Sequence, residues 1–170
     1  IIVDDFFCTG DMSAESVAAK GDLPWGDYRR ALMVQAAQQS IIVPAKSANP
    51  TVALIMKFPQ WYDRFHEFGY DVPAESAMFD RIWVGTETRG PDTARYGFTQ
   101  PYQGFANLRW ISSIAGHKTA GAWFDHGDCD ANDFVDQAYQ SVLAGAREIM
   151  IFAYSDIEAE HPGHELLKKE

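Results

Sequence analysis

Five short apolar runs, each closing on a charged or polar residue, constrain this chain more than any other feature. They occupy residues 1–5, 52–57, 79–87, 120–125 and 148–156, and helix-like sequence separates them. Apolar strands alternating with helices predict a parallel sheet, because each parallel connection needs a crossover that covers a sheet face. In such sheets, ligand-binding and catalytic groups gather at the carboxyl ends of the strands. Here those ends carry Asp4, Asp5, Lys57, Glu87, Asp125 and Asp156. Carboxylates with a lysine at one end of a sheet are the pattern of an enzyme site.

Two architectures accommodate repeated βα units. An open doubly wound sheet usually carries a Gly-rich phosphate turn after its first strand. The residues at that place, Asp5-Phe6-Phe7-Cys8-Thr9-Gly10, contain neither G-x-G-x-x-G nor a P-loop. The alternative is the (β/α)8 barrel of roughly 250 residues. A chain of 170 residues then supplies about five βα units, most simply strands four to eight. The expected fold is α/β, a partial TIM barrel, with residues 1–170 as one domain forming the barrel's C-terminal part. The chain opens without Met and inside an apolar run, which we read as a piece of a longer or processed protein. Open sheet edges would favour pairing with the missing N-terminal part or with a second copy, and poor stability in isolation.

Charge narrows the partners. A net charge of −10 argues against nucleic acid, which is held by clustered Lys and Arg. No run reaches the roughly 18 apolar residues of a membrane span, and no basic amphipathic stretch suggests a membrane surface. Cys8 and Cys129 form no CxxC pair; a disulfide and two separate thiols both fit, so the compartment stays open, with secretion or a periplasmic location compatible. The five histidines make no metal motif. Only His126 lies at a strand end, near Asp128, Cys129 and Asp130, and neither a metal nor a cofactor is expected.

Between the apolar runs, residues 6–21 read as a loop, with Asp22 as N-cap and Pro24 as an early helical proline. Trp25, Tyr28, Leu32 and Ala36 give one helical face. Residues 60–68 read as a short helix closed by Gly69. Phe105, Leu108, Ile111 and Ala115 form the next stripe. In residues 132–144, Phe134, Val135, Ala138 and Val142 point inward. The tail from residue 158 reads as an exposed loop leading into a helix.

Acidic groups at two strand ends suit glycosidic cleavage, in which one carboxyl protonates the leaving oxygen and another attacks or activates water. On a regular strand Asp4 and Asp5 point to opposite faces. Glu87 lies beyond Gly85 with Arg89 two residues on, placed either to hold the carboxylate ionised or to bind substrate hydroxyls. Asp125 follows Trp123-Phe124, an aromatic platform. Lys57, in a run that should be buried, must be paired or functional. Pairing with a carboxylate, orienting a sugar hydroxyl and Schiff-base chemistry are its three readings. His126 adds a polar group beside Asp125. The aromatic share is 14%, and Trp61, Trp83, Tyr102 and Trp123 are candidate sugar platforms beside the strand ends.

Val3-Asp4-Asp5-Phe6-Phe7, the strand-end Lys57, Trp83-Val84-Gly85-Thr86-Glu87-Thr88-Arg89 and Gly121-Ala122-Trp123-Phe124-Asp125 resemble barrel strands of glycoside hydrolases. The nearest types are alpha-galactosidase-like and beta-galactosidase-like barrels. The resemblance implies an acid on the fourth strand, matching Asp4 or Asp5. It implies a second on the sixth strand, matching Glu87, or on the seventh, near Asp125, where the beta-galactosidase-like type uses Glu. The implied activity is hydrolysis of a carbohydrate substrate, with Asp5 as nucleophile or base, Glu87 as general acid, and Asp4, Lys57, Arg89 and Asp125 positioning the sugar. Two alternatives compete with it: a carbohydrate-binding barrel without catalysis, and a Lys57-dependent Schiff-base lyase.

Overall fold

The computed structural model describes residues 1–5, 10–91, 99–152 and 162–169. Five strands, β1 (Ile2–Val3), β2 (Ile55–Phe58), β3 (Arg81–Gly85), β4 (Thr119–Asp125) and β5 (Glu148–Phe152), run parallel in one sheet in chain order. The helices are α1 (Ala14–Lys20), α2 (Trp25–Ala36), α3 (Val43–Ala48), α4 (Phe65–Phe68), α5 (Val72–Met78), α6 (Gln103–Ala115), α7 (Ala131–Leu143) and α8 (Pro162–Leu167). A π-helical segment, Ala37–Ile42, joins α2 to α3. This is the expected α/β fold, a partial barrel of successive βα units.

Several local expectations need correction. The stretch read as a loop contains α1, because Ser13 caps it and Asp11 in turn binds the Ser13 amide and hydroxyl. Pro24 occupies the N-cap of α2, where Asp22 was expected. The unexpected α5 is capped by Asp71, whose carboxylate accepts the Ala74 amide, with Pro73 in its first turn. Lys57 lies inside β2 rather than at its end. Cys8, Asp156 and His161 fall outside the described residues.

The chain divides into two compact units, Ile1–Ile82 and Trp83–Glu170. In the first, Met33, Leu54, Met56, Phe58 and Phe79 are fully buried. In the second, strand parity sorts the side chains. Ala120, Ala122 and Phe124 of β4 are buried on the face covered by α7, where Phe124 packs edge-on against Phe134 and clusters with Val135 and Ala138. Gly121, Trp123 and Asp125 take the opposite face, since alternate residues of a strand diverge. A side chain on Gly121 would meet the Trp83 ring at 2.4 Å, so this glycine lets the indole of β3 lie against β4. Val142, expected to point inward from α7, is exposed; the polar Gln137, Gln140 and Ser141 are buried instead.

Candidate functional site

The first unit holds Asp4, Asp5 and Lys57. The Lys57 ammonium lies 3.2 Å from Asp4 Oδ1 and 3.2 Å from Asp5 Oδ1. Only 3% of the lysine side chain is exposed, against 43% and 48% for the two carboxylates. The expected divergence of the aspartates fails because β1 ends at Val3 and Asp5 adopts a positive φ of 38°. That left-handed turn brings both carboxylates onto one cation. The pairing answers the desolvation cost of burying a lysine within a strand. Trp61, a candidate platform, packs edge-on against Phe65, Phe68 and Tyr70 at centroid distances of 6.1, 5.2 and 5.4 Å.

The second unit holds Glu87, Arg89 and Asp125. Glu87 lies two residues beyond β3 and is 5% exposed. It is central to a three-residue turn closed by the Thr88 amide donating to the Thr86 carbonyl at 2.8 Å. Thr86 continues the sheet by donating its amide to the Trp123 carbonyl at 2.8 Å. Arg89 grips Asp125 with two hydrogen bonds, Nε to Oδ1 at 2.9 Å and Nη2 to Oδ2 at 2.6 Å. Such a fork is the strong form of an ion pair, and both side chains are largely buried. Asp125 Oδ1 also accepts the Gly127 amide at 2.9 Å. Two non-glycine residues here sit at positive φ, Arg89 at 57° and Asp128 at 47°, and the Gly90 amide bonds the Asp128 carbonyl at 3.1 Å. Backbone strain of this kind persists only where surrounding contacts over-determine it.

Those contacts come from α7, and sequence reading did not find them. Gln137 accepts the Arg89 amide at 3.2 Å and donates to the Asp125 carbonyl at 3.0 Å. Gln140 accepts the Thr88 hydroxyl at 2.8 Å and donates to the Pro101 carbonyl at 2.9 Å. The Ser141 and Thr86 hydroxyls are 2.8 Å apart. Gly104 lies so close that a side chain there would meet the Thr86 carbonyl at 2.7 Å. The available signal was a pair of glutamines and a serine at helical spacing beside an apolar stripe.

The remaining candidates separate by face. Trp83 is buried and donates its indole N–H to Glu148 at 3.1 Å. Trp123 stacks on Phe152 with ring centroids 5.7 Å apart. His126, by contrast, lies on the α7 side: its ring stacks on Phe134 at 4.7 Å and its Nε2 is 2.7 Å from His164 Nε2. Tyr102 is 75% exposed at the edge of a pocket of about 290 Å³ that Arg89, Phe105, Asp136 and Tyr139 also line. Burial, aided by the Asp125 and Asp133 carboxylates, pushes the Cys129 thiol up to about 12. It is therefore a neutral thiol near pH 7, poorly suited to nucleophilic attack. Among the described residues no group of three or more His, Cys, Asp or Glu side chains could hold a metal ion.

Comparison with known proteins bears on this arrangement. Residues 1–166 match the model of a family described as "Probable glycosyl hydrolase, catalytic domain". The chain is also similar to the uncharacterized protein SSO3021 of Saccharolobus solfataricus, with 29% identity over 140 residues. That match covers 78% of this chain and 22% of the relative, so the chain spans about a fifth of the relative's length. No solved structure matches. With nearly its whole length matched, the chain belongs to the family of probable glycosyl hydrolase catalytic domains.

Proposed function

We propose that the protein hydrolyses a glycosidic bond and that Glu87 is its general acid. The observation that carries this reading is the placement of Glu87: a nearly buried carboxyl at the end of a parallel strand, in a chain of this family. A general acid must hold a proton near working pH and reach the leaving oxygen. Asp125 is a weaker choice, because both of its oxygens are engaged by Arg89. The arrangement therefore favours the likeness to alpha-galactosidase-like barrels over the beta-galactosidase-like type.

In this reading Asp5 is nucleophile or base. Asp4, Lys57, Arg89 and Asp125 position the sugar. Trp123, stacked on Phe152, offers an aromatic surface of the kind that sugar rings stack on. Lys57 fits a Schiff-base role poorly, since two adjacent carboxylates favour the ammonium and that chemistry needs a neutral amine.

The test is turnover of a panel of aryl glycosides by the complete protein. Glu87→Gln preserves shape and removes the proton function. It should lower the rate by roughly 10²-fold or more, with Tm nearly unchanged. Full activity in that variant would move the acid to Asp125 or Asp4. Sugar binding without turnover in the wild type would replace catalysis by recognition. NMR of the first-formed product anomer would decide between retention and inversion.

A further inference from the structure

We propose that the polar face of α7, formed by Gln137, Gln140 and Ser141, positions Glu87 for catalysis; this rests on the reading of Glu87 as general acid. The segment 86–89 is tied to α7 at every residue flanking the acid. Thr86 meets Ser141 at 2.8 Å, Thr88 meets Gln140 at 2.8 Å, and the Arg89 amide meets Gln137 at 3.2 Å. The Gly104 amide adds a bond to the Thr88 hydroxyl at 3.0 Å. Thr86 and Thr88 thus point at the helix, and the turn between them fixes where Glu87 leaves the backbone.

The same helix face also holds the neighbouring strand end. Gln137 is wholly buried, and its single amide joins the Arg89 backbone to the Asp125 backbone. Arg89 and Asp125 then close the circle through their side chains. The loop after β3 and the loop after β4 therefore cannot shift separately. A helix that only packed would serve equally well with apolar residues at these positions, as it does at Phe134, Val135 and Ala138. Burying two glutamines is costly unless each hydrogen bond is made, so the polar face has a directional task. Geometry held by such a supporting shell is what a proton donor needs, because small misplacements of catalytic groups lower rates steeply.

The experiment uses the complete protein and compares Gln137→Met and Gln140→Met with Val135→Ala, a core change on the same helix that touches none of these bonds. Three readouts apply: kcat and KM on the best aryl glycoside, the pH profile of kcat/KM, and the ¹³C titration of the Glu87 carboxyl, assigned by its loss in Glu87→Gln. The expected result is a fall in kcat of roughly 10- to 10²-fold with KM little changed. The Glu87 midpoint should move in both methionine variants and stay put in Val135→Ala, even where Val135→Ala lowers Tm as much.

Equal losses in all three variants, with an unmoved Glu87 midpoint, would reduce the polar face to a structural role and overturn the proposal. If the methionine variants do not fold, Gln137→Glu carries the test. It keeps an acceptor for the Arg89 amide but can donate to the Asp125 carbonyl only when protonated. Activity should then return as pH falls through that carboxyl's titration, and an unchanged pH profile would count against the idea. A wild type inactive on every glycoside would sink the glycosidase reading alone. The Glu87 titration would still decide whether α7 positions that residue.

Discussion

The ion pairs of the two units are built on opposite plans. In Ile1–Ile82, a buried Lys57 is held between two carboxylates that are each nearly half exposed. In Trp83–Glu170, Arg89 and Asp125 are both mostly buried, joined by two bonds, and backed by a buried helix face. Exposed partners contribute little to stability and leave oxygen atoms available to a ligand. Buried partners fix geometry and become expensive to separate. The first arrangement leaves its carboxylates open to solvent, and the second holds a neighbour still.

The largest expected effect breaks the buried pair. Arg89→Met removes the cation that both Asp125 oxygens bind, and should destabilise the protein by about 3 kcal/mol in urea unfolding. A loss below about 1 kcal/mol would erase the contrast between the units.

A second change probes whether burial alone sets the cost in the first unit. Glu75 of α5 is wholly inaccessible, and its carboxyl is pushed up to about 8, mainly by lost hydration. The Asp71 charge adds to that rise, and the Asp71 amide, which donates to Glu75, opposes it. Between pH 4.5 and about 8 the unfolded chain releases this proton while the folded chain keeps it. The stabilising contribution is thus complete below pH 4.5 and is lost as pH rises towards 8. Glu75→Gln should flatten that dependence, raising stability most near pH 7.5 and almost not at all at pH 4.5. A parallel pair of stability–pH curves would refute it.

The smallest effect sharpens the first plan. Asp4→Asn leaves Asp5 on Lys57, so stability should change by less than about 1 kcal/mol. A loss comparable to that of Arg89→Met would mean that the exposed pair is as structural as the buried one.

Apolar runs and their polar ends were legible in the sequence because strand burial and strand termination are local properties of composition. They determined the parallel α/β fold, and they put Lys57, Glu87 and Asp125 at or near strand ends. The helix of residues 131–143 was legible from its stripe, although Val142 was assigned to the wrong side.

Tertiary structure decided the rest. Nothing local indicates that Asp5 turns left-handed and joins Asp4 on Lys57, or that Arg89 chooses Asp125, because those contacts join residues 36 to 53 positions apart in the chain. Nor does composition reveal that His126 packs on Phe134 while Trp123 takes the other face, since that needs the register of the strand. The partners of Gln137 and Gln140, at a strand end and in the loops after β3, are not visible in the helix sequence itself. Hydrogen-bond pairing between distant segments is set by the fold, and so the sequence defined the class of site while only packing defined which groups hold it.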